Sequence, residues 1–208
     1  MAIEAFQHLP NEKQENILKS GIHEFSTRSY SEASTDEMTK NCGISKGILF
    51  HYFGSKKEFY FYCLRYSIEQ LIVPIQENEE KDFYGILFES MKGRFQLCLE
   101  HKEEMHMVNM AARESAREIV EQKNEIIARY RMQTAAESTK TMRKAVGTLP
   151  LKEPENPKLV EALFLYMNAV LNQYLMKYLE TPDAFFEKEA EIQTEIRLYM
   201  DFFLKGVV

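Results

Sequence analysis

The sequence predicts an all-α protein: an amino-terminal three-helix domain containing a helix-turn-helix, then a larger helical domain, about nine helices in total. Three observations point there. Only 8 glycines and 6 prolines interrupt 208 residues that are 45% hydrophobic. Few segments alternate apolar and polar residues as a half-buried strand would. Serine followed three residues later by glutamate recurs ahead of apolar runs, which marks a helix start. The length suits one or two domains and is enough to bury a core.

The first helix opens with Asn11 as N-cap and Gln14 three residues on, and carries Ile17, Leu18, Ile22 and Phe25 at helical spacing. Ser34 with Glu37 starts a short second helix, which Cys42-Gly43 ends. Ser45 caps a third that runs to about Tyr52, where Gly54 stops it. Ser55 with Glu58 starts a long fourth helix reaching Pro74. Two very short helices joined by a glycine turn are a helix-turn-helix pattern. Ile22, Phe25, Met38, Ile44, Leu49 and Phe53 are its expected core. The expected domains are 1–56 and 57–208.

Beyond a charged break at 77–82, helices are expected at about 83–101, 103–113 and 116–146, the last punctuated by Gly147 and Pro150. A proline-rich connection at 150–157 precedes a final pair, 158–180 and 183–205, with Thr181 as cap and Pro182 at the first helical position. From Leu159 to Leu179 nearly every side is apolar, and such a helix must be covered all round. The last helix offers a narrower stripe. Pairing both helices with those of a second copy, as a four-helix bundle, would cover the surplus. The candidate dimer residues are Leu163, Met167, Val170, Tyr174, Ile192, Ile196, Tyr199 and Phe203.

Several classes are disfavoured. The three cysteines, Cys42, Cys63 and Cys98, show no paired spacing, as in a reducing cytoplasm. The start of the chain lacks the basic and apolar runs of a signal peptide. The longest uncharged run, 162–176, is too short and too polar to span a bilayer. A cytoplasmic protein without membrane association is expected. His101 and His106 stand five residues apart and so do not share a helix face; no metal, cofactor or catalytic residue is expected.

The net charge of −6 argues against a protein that coats nucleic acid. Yet the window 39–66 holds Lys40, Lys46, Lys56, Lys57 and Arg65 against Glu58 alone, a local +4. Concentrated charge of this kind suits phosphates met at a few points on one face. The third helix begins Ser45-Lys46-Gly47-Ile48, and the first turn of a recognition helix enters the major groove. Lys46 can donate to guanine, Ile48 can touch a thymine methyl, and Gly47 lets the backbone come close. His51 and Tyr52 can reach the phosphate backbone. Helix starts bearing Ser34, Thr35, Ser55 and Lys56 offer phosphate seats.

These residues resemble a family. "GISKGILFHYFGSKKEF" is similar to the "GVSKGTLYHYFxSKExL" signature of TetR-family transcriptional regulators, and "FSTRSYSEASTDEMTKNCG" extends the likeness across about residues 11–66. The resemblance implies DNA contacts at Ser34, Thr35, Ser45, Lys46, Gly47, Tyr52 and Lys56. Ser29, Ile48 and Phe50 depart from its usual glycine, threonine and tyrosine; the last two changes remove hydroxyls. It also implies an effector pocket in the larger half. Its candidate residues are Phe95, Met110, Tyr130, Phe164, Asn168 and Asn172, within a Met- and aromatic-rich stretch suited to a mostly apolar ligand.

The expectation is therefore a dimeric, ligand-responsive repressor that places two recognition helices about 34–36 Å or slightly more apart on a palindromic operator in double-stranded DNA. A small-molecule effector would release it. The alternative is a helical ligand-binding protein or enzyme that binds no operator.

Overall fold

The computed structural model describes residues 2–72, 82–179 and 181–206. Among them the chain is all-α, with eleven helices: α1 Ala2–Gln7, α2 Asn11–Thr27, α3 Thr35–Asn41, α4 Lys46–Phe53, α5 Lys56–Gln70, α6 Phe83–Glu100, α7 Lys102–Arg113, α8 Val120–Val146, α9 Pro157–Tyr178, α10 Pro182–Glu187 and α11 Glu189–Leu204. The expected helix end at Pro74 and nearly all of the charged break at 77–82 lie outside the described residues. None of the described helices is long and apolar enough to cross a membrane.

The count exceeds nine for two reasons. Helix α1 is only six residues long and lacks a cap signature. The expected last helix is broken at Lys188, whose φ of −110° and ψ of 15° end α10 and begin α11. No glycine or proline announces that break. The predicted caps at Ser34, Ser45 and Ser55 all form: each hydroxyl accepts the N–H three residues on, from Glu37, Ile48 and Glu58. The Asn11 cap does not form. Pro10 holds that place, and Gln14 instead donates to the carbonyls of Gln7 and Leu9 at the end of the preceding turn. Thr181 sits at the α10 cap position without a capping bond from its side chain.

The chain divides into two compact units, residues 1–72 with 101–132, and 73–100 with 133–208. In the first, Ile22, Phe25, Met38, Leu49 and Phe53 are buried as expected, and Ile44 is half-buried. The same core takes in Phe59, Phe61 and Leu64 of α5 and Met107 of α7. Compactness therefore continues past residue 56 in this unit. Gly21 lets α2 approach α5 closely: a Cβ there would stand 2.5 Å from Phe59 Cζ.

Glu114 fastens the turn after α2 to the turn after α7. Its carboxylate accepts the N–H groups of Tyr30 (2.7 Å), Ser115 (2.8 Å) and Ala116 (2.9 Å). Lys123, 2% exposed, donates its Nζ to the Glu114 carbonyl at 2.7 Å. Burial works to raise the pKa of this carboxyl, but the three N–H donors and Lys123 outweigh it and hold it below the ordinary value. A depressed carboxylate stabilises the fold above its unfolded pKa of about 4.3 and ceases to as pH falls through the folded value. Glu114→Gln should cost about 1–2 kcal/mol near neutral pH. It should also flatten the loss of stability as pH falls below about 5, as read from urea unfolding.

In the second unit α9 buries Leu163, Met167, Val170, Leu171 and Tyr174, and α11 buries Ile192, Ile196 and Met200. Phe95 of α6 stacks on Phe185 of α10 at 4.0 Å between centroids. Leu163, Met167, Val170, Tyr174, Ile192 and Ile196 fill the unit's own interior; Tyr199 is exposed and Phe203 half-buried. The same helices expose Leu165, Met176, Leu198 and Phe202. A helix apolar on all sides does not reveal which side its own core takes.

Candidate nucleic-acid interface

The turn between α3 and α4 rests on Gly43, whose φ of +70° only glycine adopts without strain. The Ile44 N–H donates to the Thr39 carbonyl and closes it. Beyond this turn, Ser45, Lys46, Gly47, Ile48 and His51 are exposed on one face of α4, while Leu49 and Phe53 point into the core. Gly54, at φ +77°, ends the helix.

Two details define that face. Lys46 Nζ pairs with Asp36 Oδ2 of α3 at 3.0 Å, with both side chains largely solvated. Such exposed pairs contribute only about 0–1 kcal/mol, so the ammonium can be exchanged to a phosphate or a guanine at low cost. A Cβ at Gly47 would meet nothing nearer than Ser45 Oγ at 3.8 Å. Its φ is not in the left-handed region either. Nothing within the chain requires a glycine there, although glycine costs a helix about 1 kcal/mol relative to alanine.

The other predicted contacts are placed more variously. Ser34 is half-buried, and its N–H donates to Glu24 Oε1 at 2.9 Å. Thr35 is buried, so what it offers is the start of α3 rather than a projecting hydroxyl. Tyr52 is half-buried against the Phe6 ring, 6.0 Å between centroids. Lys56 folds over the Tyr30 ring, its Nζ 4.8 Å from the centroid, and burial holds its pKa below the ordinary value against the pull of Glu118 and Glu24. Sequence reading missed Phe6. Fully buried, it meets Tyr52 and Phe53 of α4 and Tyr62 of α5, and so packs α1 against α4.

Residues 17–63, from α2 into α5, match the family described as bacterial regulatory proteins, tetR family. This likeness to the tetR family covers 47 of the chain's 208 residues. YerO, an uncharacterized HTH-type transcriptional regulator of Bacillus subtilis (strain 168), is 29% identical over 98 residues, 45% of this chain and 34% of YerO. The match thus spans about a third of that relative's length. Two solved structures share the fold over nearly the whole chain. MexZ, a repressor from Pseudomonas aeruginosa, is 16% identical, with a TM-score of 0.68 over 93% of this chain and 96% of MexZ. A TetR family regulator from Chloroflexus aurantiacus J-10-FL is 18% identical, with a TM-score of 0.59 over 98% and 97%.

The second unit contains a narrow cleft among α6, α8 and α9. Its floor is apolar, from Leu87, Met91, Met142, Leu171 and Leu175; its walls carry Ser90, Arg94, Ser138, Thr141, Asn168 and Asn172. The free volume is ≈ 20 Å³, room for about one water. Of the candidate ligand residues, Asn168 and Asn172 line it. Phe95 is locked in the core beneath Phe185, and Phe164 lies under the Arg143 guanidinium. Met110 and Tyr130 belong to the first unit. The lining is more polar than expected, and it includes an arginine that no local sequence pattern singles out.

Proposed function

We propose that this protein is a ligand-responsive, DNA-binding transcriptional regulator that acts as a dimeric repressor on a palindromic operator in the cytoplasm. Residues 1–56 would bind DNA, and residues 57–208 would hold the effector and the second copy. The observation that carries the reading is the outer face of α4: a solvated lysine in an exchangeable pair, beside a glycine with open space over it. Ser34, Thr35, Ser45, Lys46, Gly47, Ile48, His51, Tyr52 and Lys56 are the proposed contacts, with Thr35 acting through its backbone. MexZ, which shares the fold, is a repressor, and that favours repression here. For the dimer, Leu165, Met176, Leu198, Tyr199 and Phe202 are the exposed apolar side chains of α9 and α11, and a second copy would cover them.

The effector would act by differential affinity. A cleft with room for about one water must open to admit a larger molecule. A ligand that binds the opened state better, by about 1–3 kcal/mol of coupling, shifts the population away from the DNA-binding form.

Selection of bound fragments from random DNA, followed by affinity measurements across salt, tests the reading. The expected result is a two-fold symmetric consensus whose log affinity falls steeply with log salt, with slope about −0.9 per phosphate neutralised. No enriched sequence at low salt would overturn it and favour a helical ligand-binding protein without an operator.

A further inference from the structure

Among the described residues Arg94 has no ion-pair partner. Its side chain is partly buried on the wall of the cleft, in a chain whose net charge is −6. Among the described residues its one hydrogen bond runs from Nη2 to Ser138 Oγ at 3.2 Å, to a neutral partner. Among the described residues no carboxylate lines the cleft. A guanidinium carries five N–H donors, so most of its donors remain unspent. Ser138 accepts from Arg94 and keeps its own hydroxyl proton, and Ser90 and Asn172 add further polar groups on the same walls. A partly buried charge loses hydration, and only an opposite charge with hydrogen bonds restores the loss.

We propose that the cleft recognises an organic monoanion: a carboxylate on an apolar tail, with Arg94 and Ser138 holding the acid group. This rests on reading the protein as an effector-responsive regulator, and it names the effector's chemical class. The charge count sets the head group. One guanidinium among neutral donors matches a single negative charge; a phosphate dianion would leave charge unmatched, and an ammonium would face Arg94 as a like charge. The floor sets the tail. Leu87, Met91, Met142, Leu171 and Leu175 are aliphatic or thioether side chains, and the two methionines can repack around a chain that enters. Because the free volume is ≈ 20 Å³, the acid must open the cleft as it binds, and Arg94 is the group that rewards opening only when the head is anionic.

Octanoate, octanol and octyltrimethylammonium share one tail and differ in head charge. Calorimetric titration of each into the full-length protein separates head from tail. Octanoate should bind at least about tenfold more tightly than octanol, the difference one charge-assisted contact supplies, and the ammonium should bind least. Arg94→Gln should erase the preference for octanoate while leaving octanol within about twofold, and Arg94→Lys should restore part of it. The octanol value also shows that each variant is folded. Equal binding of acid and alcohol, an acid preference that survives in Arg94→Gln, or no octanoate binding at about 10 mM would overturn the proposal. The same titrations repeated with a bound operator fragment keep the two readings apart. Octanoate that binds through Arg94 without loosening DNA supports the site and removes the ligand response proposed above.

Discussion

Gly47→Glu should abolish DNA binding while leaving the fold as stable as before or more so. The side chain would project into open space, with no atom of the chain nearer its Cβ than Ser45 Oγ at 3.8 Å. Glycine is among the poorest helix formers, and an anion in the first turn of a helix is favourable; together they should add up to about 1 kcal/mol of stability. On DNA the same change blocks backbone approach and brings a carboxylate towards phosphates in both recognition helices of a dimer. Each lost contact costs about 1–3 kcal/mol, so affinity should fall by about a hundredfold or more. Thermal unfolding and fluorescence anisotropy on the selected fragment measure the two effects separately. An unchanged DNA affinity would contradict the interface; a collapsed fold would contradict the claim that no packing requires this glycine.

Phe6→Ala should destabilise the protein by about 3–5 kcal/mol, the range for removing a fully buried aromatic side chain. Helix α1 is six residues long, far below what holds itself together in water. Its place depends on one ring, which lies 4.9 Å from Phe53 and 5.5 Å from Tyr62 between centroids. Removing it leaves a cavity among α1, α4 and α5 and takes away what backs Tyr52. DNA affinity should weaken with stability, and Phe6→Leu should recover most of both because it refills most of the volume. Urea unfolding with affinity measurements checks this. A loss below about 1 kcal/mol would mean that α1 does not secure the recognition helix.

What the residues disclosed in advance follows from the range of each interaction. The starts of α3, α4 and α5 were legible because a cap is a local event: Ser34, Ser45 and Ser55 each reach an N–H three residues on. Gly43 and Gly54 were legible because only glycine takes their backbone angles readily. Helix α1 was not, since the rings that Phe6 packs against, Tyr52, Phe53 and Tyr62, lie some 46 to 56 residues away. Helix α9 hid its orientation because Leu163 and Leu165 look alike in sequence, yet one is fully buried and the other 68% exposed. Arg94 hid for a further reason. A charged residue on an amphipathic helix is ordinary, and its meaning depends on Ser138 from α8 and Asn172 from α9.

The central claim is that two copies of α4 read one duplex together. Native mass spectrometry of the protein mixed with its selected fragment measures that directly. The account predicts a complex of two chains on one duplex, lost for Gly47→Glu and split by charge placed at Leu198 and Phe202. A single chain per duplex, or free protein beside free DNA at low ionic strength with no small molecule present, would contradict it.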